Sequence, residues 1–148
     1  MKRLLSMRNK KGFTLIEIII VLIILAVIAA IAIPSMIGFI QQANDSQIIT
    51  EGRSVLLAGQ VIATKLVGQG NPNPSSDDIK AEAEFWAMLE PDIPGINPDD
   101  FYIRFTLARE NGRITELSYR NPDRDRSAAG RILEIDTARG VTEFGPLG

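Results

Sequence analysis

The feature that most constrains this chain is an apolar run near its N-terminus. Residues 13–33 hold 19 apolar side chains out of 21, and the two exceptions are Thr14 and Glu17. As a helix, a run of this length extends about 32 Å, which is the thickness of a bilayer core. The run therefore predicts a membrane-spanning helix.

Charge differs on the two sides of this run. The first twelve residues carry five basic side chains and no acid, whereas residues 13–148 carry 11 bases and 18 acids. Basic flanks mark the end of a membrane segment that stays in the cytoplasm. We therefore expect a basic leader, a cytoplasmic N-terminus, a single span and an acidic body on the far side of the membrane.

Histidine and cysteine are both absent from the 148 residues. Their absence excludes Ser-His-Asp triads, histidine or thiolate metal sites and disulfide scaffolds. The sequence also contains no phosphate-binding loop, nucleophile motif or acid–base pair at a recognisable spacing. We therefore predict that the protein is not an enzyme and has no cofactor.

Glu17 distinguishes the run from an ordinary anchor or signal peptide. A carboxylate inside a membrane span is costly and calls for a partner, and the helix dipole offsets only a small part of that cost. The small-x-small site Ala30-Ile31-Ala32 favours a signal peptide. The run is nevertheless longer than the usual apolar core of about 7–15 residues in such peptides.

The residues around Glu17 resemble the class III signal of type IV pilins and pseudopilins. The resemblance covers about residues 10–35. The residues that carry it are Lys10, Lys11, Gly12, Phe13, Thr14, Leu15, Ile16 and Glu17, followed by an apolar run that ends at Ile33 and Pro34.

The resemblance implies a specific maturation. A membrane prepilin peptidase would cut between Gly12 and Phe13 on the cytoplasmic side, and Phe13 would become an N-methylated N-terminus. The leader, residues 1–12, would be lost while the span remains. Gly12 has no side chain, so a protease can approach its backbone closely.

The same cut supplies a partner for Glu17. The freed amine of Phe13 is a cation four residues away, or on an adjacent subunit. In an apolar setting such a pair attracts strongly, whereas either charge alone is costly. The resemblance implies that Glu17 and Phe13 act together in assembly by setting the register between neighbouring subunits.

Pro34 predicts a kink rather than the end of the helix. The alternative is a simple helix stop at the membrane surface, but helical periodicity continues beyond it. One helix over about 14–67 is expected, with a membrane or filament-core part at 13–34 and an amphipathic part at 35–67. The apolar stripe is formed by Ile37, Ile40, Ile48, Val55, Ile62 and Leu66.

Residues 68–148 are expected to form a globular head. After a loop over 68–76, Ser75 or Ser76 can cap a short helix over about 77–90. Phe85, Met88 and Leu89 should pack inward, with Trp86 at the boundary. A proline-rich irregular stretch should follow.

The rest of the head reads as an antiparallel sheet. Alternation predicts strands at 101–109, 113–120 and 131–137 and a possible fourth at 141–144. Asn111-Gly112 favours a tight hairpin between the first two. The predicted fold class is α+β, a small sheet of three or four strands packed on a long helix, which agrees with the pilin resemblance.

A calcium site in the head is one alternative function. Asn121, Asp123 and Asp125 alternate as oxygen ligands do in some calcium loops. Arg124 and Arg126 interleave with them, and no glutamate follows at calcium-loop spacing. We therefore predict a solvated, salt-bridged loop and no metal.

Nucleic-acid binding is a second alternative, because arginines are concentrated after residue 100. Seven acids share the region, so the attraction for phosphates largely cancels, and we predict no nucleic-acid partner. The arginines are Arg104, Arg109, Arg113, Arg120, Arg124, Arg126, Arg131 and Arg139.

These features together predict a structural subunit of a type IV pilus. The subunit would be a single-pass inner-membrane protein before assembly and part of a helical homopolymer at the cell surface afterwards. Its other partners would be the prepilin peptidase and a pilus assembly platform in the membrane, and motility, adhesion or DNA uptake would be downstream uses. The alternatives are a type II secretion pseudopilin and a non-polymerising, membrane-anchored binding module.

Overall fold

The structure is a computed structural model of the chain and describes residues 12–109, 111–124 and 130–146. Most of the basic leader, Asp125 and Arg126 lie outside these ranges. Contacts within the chain divide it into two compact units, Met1–Gln41 and Gln42–Gly148.

The first unit contains the N-terminal part of helix α1, which spans Leu15–Gly68 without interruption. Pro34 lies inside this helix, so the expected continuation of the helix beyond Pro34 is confirmed and the alternative, a helix stop at this residue, is wrong. All side chains described in residues 12–41 are exposed. Ile37 and Ile40, expected on the buried stripe, are therefore exposed as well.

The second unit begins within α1 and buries one face of the helix. Ile48, Val55 and Ile62 are buried and Leu66 is partly buried. Their spacing of three to four residues or its multiples places them on one side of the helix. This side meets the sheet in a single hydrophobic core, as the periodicity predicts.

Four strands form an antiparallel sheet in the order β1-β2-β3-β4. The strands are β1 Tyr102–Leu107, β2 Ile114–Arg120, β3 Arg131–Asp136 and β4 Val141–Pro146. Each pairs with its neighbour in the chain. The predicted α+β class, with a long helix and an antiparallel sheet, is confirmed, and the possible fourth strand is present.

The short helix expected over 77–90 is two helices. Helix α2 spans Ser76–Ala81 and helix α3 spans Ala83–Leu89. The break is at Glu82, whose backbone is extended. The carbonyl of Lys80, which would accept from Glu84 in a continuous helix, instead accepts from the Trp86 indole at 2.7 Å.

The burial of the side chains of α3 agrees with the prediction at every position but Met88. Phe85 and Leu89 are buried and Trp86 is partly buried, as predicted. Met88 is exposed, and the prediction that it packs inward is wrong. Ile93, beyond the helix, joins the core.

A glutamine of α1 holds the hairpin between β1 and β2 against the helix. The Gln60 amide nitrogen donates to the Gly112 carbonyl at 3.1 Å, and its oxygen accepts from the Ile114 amide at 2.8 Å. Gly112 has φ +62°, the left-handed conformation that the Asn-Gly pair predicts. The turn is therefore held by the conformation of Gly112 and by the two hydrogen bonds to Gln60 of α1.

Two glycines of α1 allow the sheet to approach the helix closely. A Cβ on Gly52 would meet the Leu133 side chain, and one on Gly59 would lie 2.6 Å from Cζ of Phe105. These contacts leave no space for a side chain. Gly52 and Gly59 therefore set the distance between the helix and the sheet.

The outer edge of β1 is partly covered by α2. The Ser76 hydroxyl accepts a hydrogen bond from the Phe105 amide at 3.1 Å. An edge amide that would otherwise face solvent is satisfied within the chain.

Candidate functional site

The predicted processing site lies just before α1. Gly12 and Phe13 precede the helix, and Phe13 is 81% exposed. A Cβ on Gly12 would meet no atom within 4 Å. The bond between them is therefore open to a protease, and the assignment of Gly12 and Phe13 as the cleavage site stays a prediction.

Thr14 caps the start of α1. Its hydroxyl accepts from the Glu17 amide at 3.3 Å, and its carbonyl accepts from Glu17 and Ile18 at 3.1 and 3.3 Å. Thr14 and Glu17 have the spacing of a capping box, in which the first residue satisfies an orphan amide of the helix. Thr14, which the sequence reasoning did not single out, thus fixes where the helix begins.

Glu17 lies in the first turn of α1, where a negative charge is favoured by the helix dipole. It is the only charged residue in positions 13–41. The backbone amide of Glu17 donates a hydrogen bond to the Thr14 hydroxyl. Pro34 lies further along the same helix. The proposed roles of Glu17 in assembly and Pro34 as a kink stay predictions.

The N-terminal part of α1 is long and apolar enough to cross a membrane. Its most apolar window has a mean hydropathy of 3.3, and none of this window is buried within the chain. Exposed apolar surface of this extent marks a membrane or protein interaction site. The apolar side chains of the first unit are not covered by the described residues, and a membrane or another protein surface would cover them.

A second cluster, which sequence reasoning missed, surrounds Glu51 in the second unit. Glu51 is only 3% exposed, although it is a carboxylate. Its Oε2 accepts from the Tyr119 hydroxyl at 3.0 Å and the Asn121 amide at 2.8 Å, and its Oε1 accepts from Nε of Arg124 at 3.3 Å. The cluster ties the end of β2 and the following loop to α1.

Burial and the adjacent charge of Glu51 raise the pKa of the Tyr119 phenol well above its usual range. The neutral phenol can therefore remain a hydrogen-bond donor to the carboxylate at all ordinary pH values. A sequence signal for this cluster exists, because Glu51 lies three residues after Ile48 and four before Val55, on the buried stripe.

The loop that follows β2 uses its polar groups within the chain. The Asn121 amide faces Glu51, and its Oδ1 accepts from the Asp123 backbone amide at 3.0 Å. Asp125, the third proposed ligand, lies outside the described residues. Among the described residues, no group of three or more acidic side chains is arranged to hold a metal.

Several of the arginines after residue 100 are paired with acids. Arg131 contacts Asp45 at 2.6 Å, and Arg139 contacts Asp136 at 2.8 Å. Arg131 also lies over the Phe144 ring, 4.7 Å from its centroid. These guanidinium groups are engaged in holding the sheet and its turns.

The class of protein that the structure shows is α+β, with an exposed apolar helix segment that fits membrane anchoring and a small antiparallel sheet. Residues 7–33 match the family model described as the prokaryotic N-terminal methylation motif. This motif is the class III prepilin signal of type IV pilins and pseudopilins, so the resemblance found in the sequence is confirmed. The match supports a protein of the type IV pilin or pseudopilin family.

The matched segment covers less than a fifth of the chain and does not reach the sheet. Comparisons with curated proteins and with solved structures gave no significant match. The motif implies processing by a prepilin peptidase and pilus assembly, and the family is structural rather than enzymatic.

Proposed function

We propose that the protein is a structural subunit of a type IV pilus. It is cut between Gly12 and Phe13, methylated at Phe13 and polymerised through the N-terminal part of α1 into a helical filament. The observation that carries this proposal is the processing motif at the start of a helix whose N-terminal part, up to residue 41, has only exposed side chains among those described. Such a surface fits burial in a membrane or against other copies of the chain.

The proposed organisation follows the chain. Residues 1–12 are a leader, residues 13–34 a membrane and filament-core helix, and residues 35–67 the part of the helix that carries the head. Residues 68–148 complete the head. Before assembly the subunit is anchored in the cytoplasmic membrane with its N-terminus in the cytoplasm, and after assembly it lies in a filament at the cell surface.

In the proposed polymer, Glu17 pairs with the freed amine of Phe13, on its own or a neighbouring subunit. Lipid is already apolar, so leaving the bilayer for a helix bundle gives little hydrophobic gain. A charge pair in a medium of low dielectric constant can supply specific register, because either charge alone is costly there.

The mature N-terminus is the first test. Mass spectrometry of the protein purified from its own cells should show a chain that begins at Phe13 and carries one methyl group. A chain that begins at Met1 or after Ala32 would overturn the proposal and favour the non-polymerising anchor.

Glu17→Gln is the second test. The variant keeps the size of the side chain and loses the charge, so processing should persist while assembled polymer is strongly reduced. Abundant, normally registered filaments would refute the role of Glu17. Surface filaments of the unaltered chain favour the pilus, whereas polymer confined to the cell envelope favours the type II secretion pseudopilin.

A further inference from the structure

The face of α1 that points away from the sheet has an unusual surface. We call Thr50, Arg53, Leu57, Val61 and Thr64 the outer stripe; their spacing of three and four residues aligns them along one side of the helix. Leu57 is 68% exposed and Val61 is 50% exposed. The opposite side of the same turns carries the buried Val55 and Ile62.

The hydroxyls of the two threonines of the outer stripe already donate hydrogen bonds within the helix and do not depend on water as a partner. The Thr50 hydroxyl donates to the Ser46 carbonyl at 2.9 Å, and the Thr64 hydroxyl donates to the Gln60 carbonyl at 2.8 Å. Hydroxyls bonded to the carbonyl four residues earlier can be buried without losing a partner. The outer stripe is therefore suited to contact with another apolar surface.

Arg53 is the single charge on the outer stripe. It is exposed and has no ion pair or side-chain hydrogen bond with any residue that the structure describes. The exposed apolar part of α1 also has a single charge, Glu17. Among the residues that the structure describes, Arg53 and Glu17 thus have no ion-pair partner, and each lies on an exposed apolar surface.

The spacing of the two surfaces matches. Arg53, Leu57 and Val61 follow one another at intervals of four residues, and so do Glu17, Val21 and Leu25. In a head-to-tail helical polymer all copies point the same way. Two parallel helices offset by 36 residues, about 54 Å at 1.5 Å per residue, place the charges opposite each other and align the apolar pairs.

We propose that the outer stripe is a docking surface for the N-terminal part of α1 of a second copy, with Arg53 opposite that copy's Glu17. The inference rests on the proposed polymerisation and deepens it by naming a second cation for the carboxylate and a register for the contact. Glu17 has two oxygens and can accept from more than one donor. The planar guanidinium of Arg53 can bind both of them.

Disulfide trapping tests the register, because the chain has no cysteine of its own. The full chain carrying both Val21→Cys and Leu57→Cys should form a ladder of covalent oligomers when assembled polymer is oxidised. In one chain the two positions are separated by 36 residues, or about ten turns, of helix α1, and a disulfide needs Cα atoms within about 7 Å. Any such bond therefore joins two copies.

The matched control replaces Val21→Cys by Ile23→Cys. Ile23 is exposed, as Val21 is, and lies only two residues further along α1. A two-residue step nevertheless turns its side chain to the other side of the helix. It should give no ladder with Leu57→Cys. A dimer formed by Leu57→Cys alone would show that two outer stripes meet each other, and would overturn the proposal.

Arg53→Gln tests the charge. It should reduce assembled polymer by about tenfold or more, because a desolvated acid loses its partner, and Arg53→Lys should restore part of the loss. Arg113→Gln, at another exposed arginine, should assemble normally. If Arg53→Gln also assembles normally, the proposal is wrong.

The failure of this inference differs from the failure of the proposed function. If the unaltered chain forms no polymer, the proposed function fails and this inference fails with it. If polymer forms but Val21→Cys with Leu57→Cys gives no ladder, only the docking surface is refuted.

Discussion

Glu51 is the residue whose environment departs furthest from what its chemistry would suggest. A carboxylate on a helix normally faces water, but this one receives three donors and almost no solvent. Buried polar groups are tolerated when each finds a partner. The cluster therefore joins α1 to the end of β2 by direct bonds rather than by apolar packing alone.

Glu51→Ala should lower the free energy of unfolding by about 2–3 kcal/mol, because it leaves the Tyr119 hydroxyl and the Asn121 amide buried without an acceptor. Arg124 adds less, since it is partly exposed. Denaturant unfolding of the full chain in detergent, followed by circular dichroism, measures the change. The control Glu116→Ala, at an exposed site, should change stability by less than about 0.5 kcal/mol.

Tyr119 should make the protein sensitive to base. Its folded pKa lies above the unfolded value, so its contribution to stability is complete below about pH 10 and is lost as the pH rises further. One of the two phenols should therefore ionise only as the protein unfolds, which ultraviolet absorbance of phenolate detects. If both phenols ionise while the fold persists, the burial of Tyr119 is not as described.

Single residues show where sequence reasoning succeeds and fails. The sequence predicts Trp86 at the boundary of the core, and in the structure Trp86 is partly buried and its indole donates to the Lys80 carbonyl. Glu51 was missed because its pattern position is apolar while its side chain is charged, and only the donors on β2 and its loop resolve the conflict. Those donors are about 70 residues away in sequence.

Among the helices and strands, too, some features follow from the local sequence and others do not. The strands follow from alternation, and the hairpin from Asn111-Gly112, because both are local properties of the chain. The break between α2 and α3 has no glycine or proline to announce it. It is stabilised by Lys65 of α1, whose ammonium contacts Glu82 at 2.9 Å and Glu84 at 2.7 Å, and such tertiary contacts override local propensity.

The spacing between α1 and the sheet is set by glycine, and Gly59→Ala tests this. Alanine is the better helix former by about 1 kcal/mol, yet its Cβ would lie 2.6 Å from the Phe105 ring. Overpacking should dominate and lower stability by about 1–3 kcal/mol, measured by thermal unfolding.

Gly38→Ala is the matched control for that prediction. Gly38 lies in the same helix, and a Cβ there would meet no atom within 4 Å. The substitution should leave the unfolding temperature unchanged or raise it. Equal effects at Gly38 and Gly59 would contradict the role of close packing.

At the scale of the whole molecule, the proposed processing would change the net charge. The full chain has a net charge of −2, and residues 1–12 account for +5 of it. Removing them leaves side chains with a net charge of −7, so the mature subunit should focus at a lower pH than its precursor. Gly12→Leu, which blocks the approach of the peptidase to the backbone, should keep the charge of the precursor on isoelectric focusing.

The hydrogen bond from the Phe105 amide to the Ser76 hydroxyl bears on how copies of the chain behave when they are crowded together. In the proposed function, subunits would be concentrated in the plane of a membrane before assembly, where a bare strand edge is a template for pairing with the sheet of another molecule. By occupying an edge amide of β1 from within, α2 removes a template at that point. If the proposed function holds, subunits held in the membrane would thus stay available for assembly through α1 instead of aggregating through the sheet.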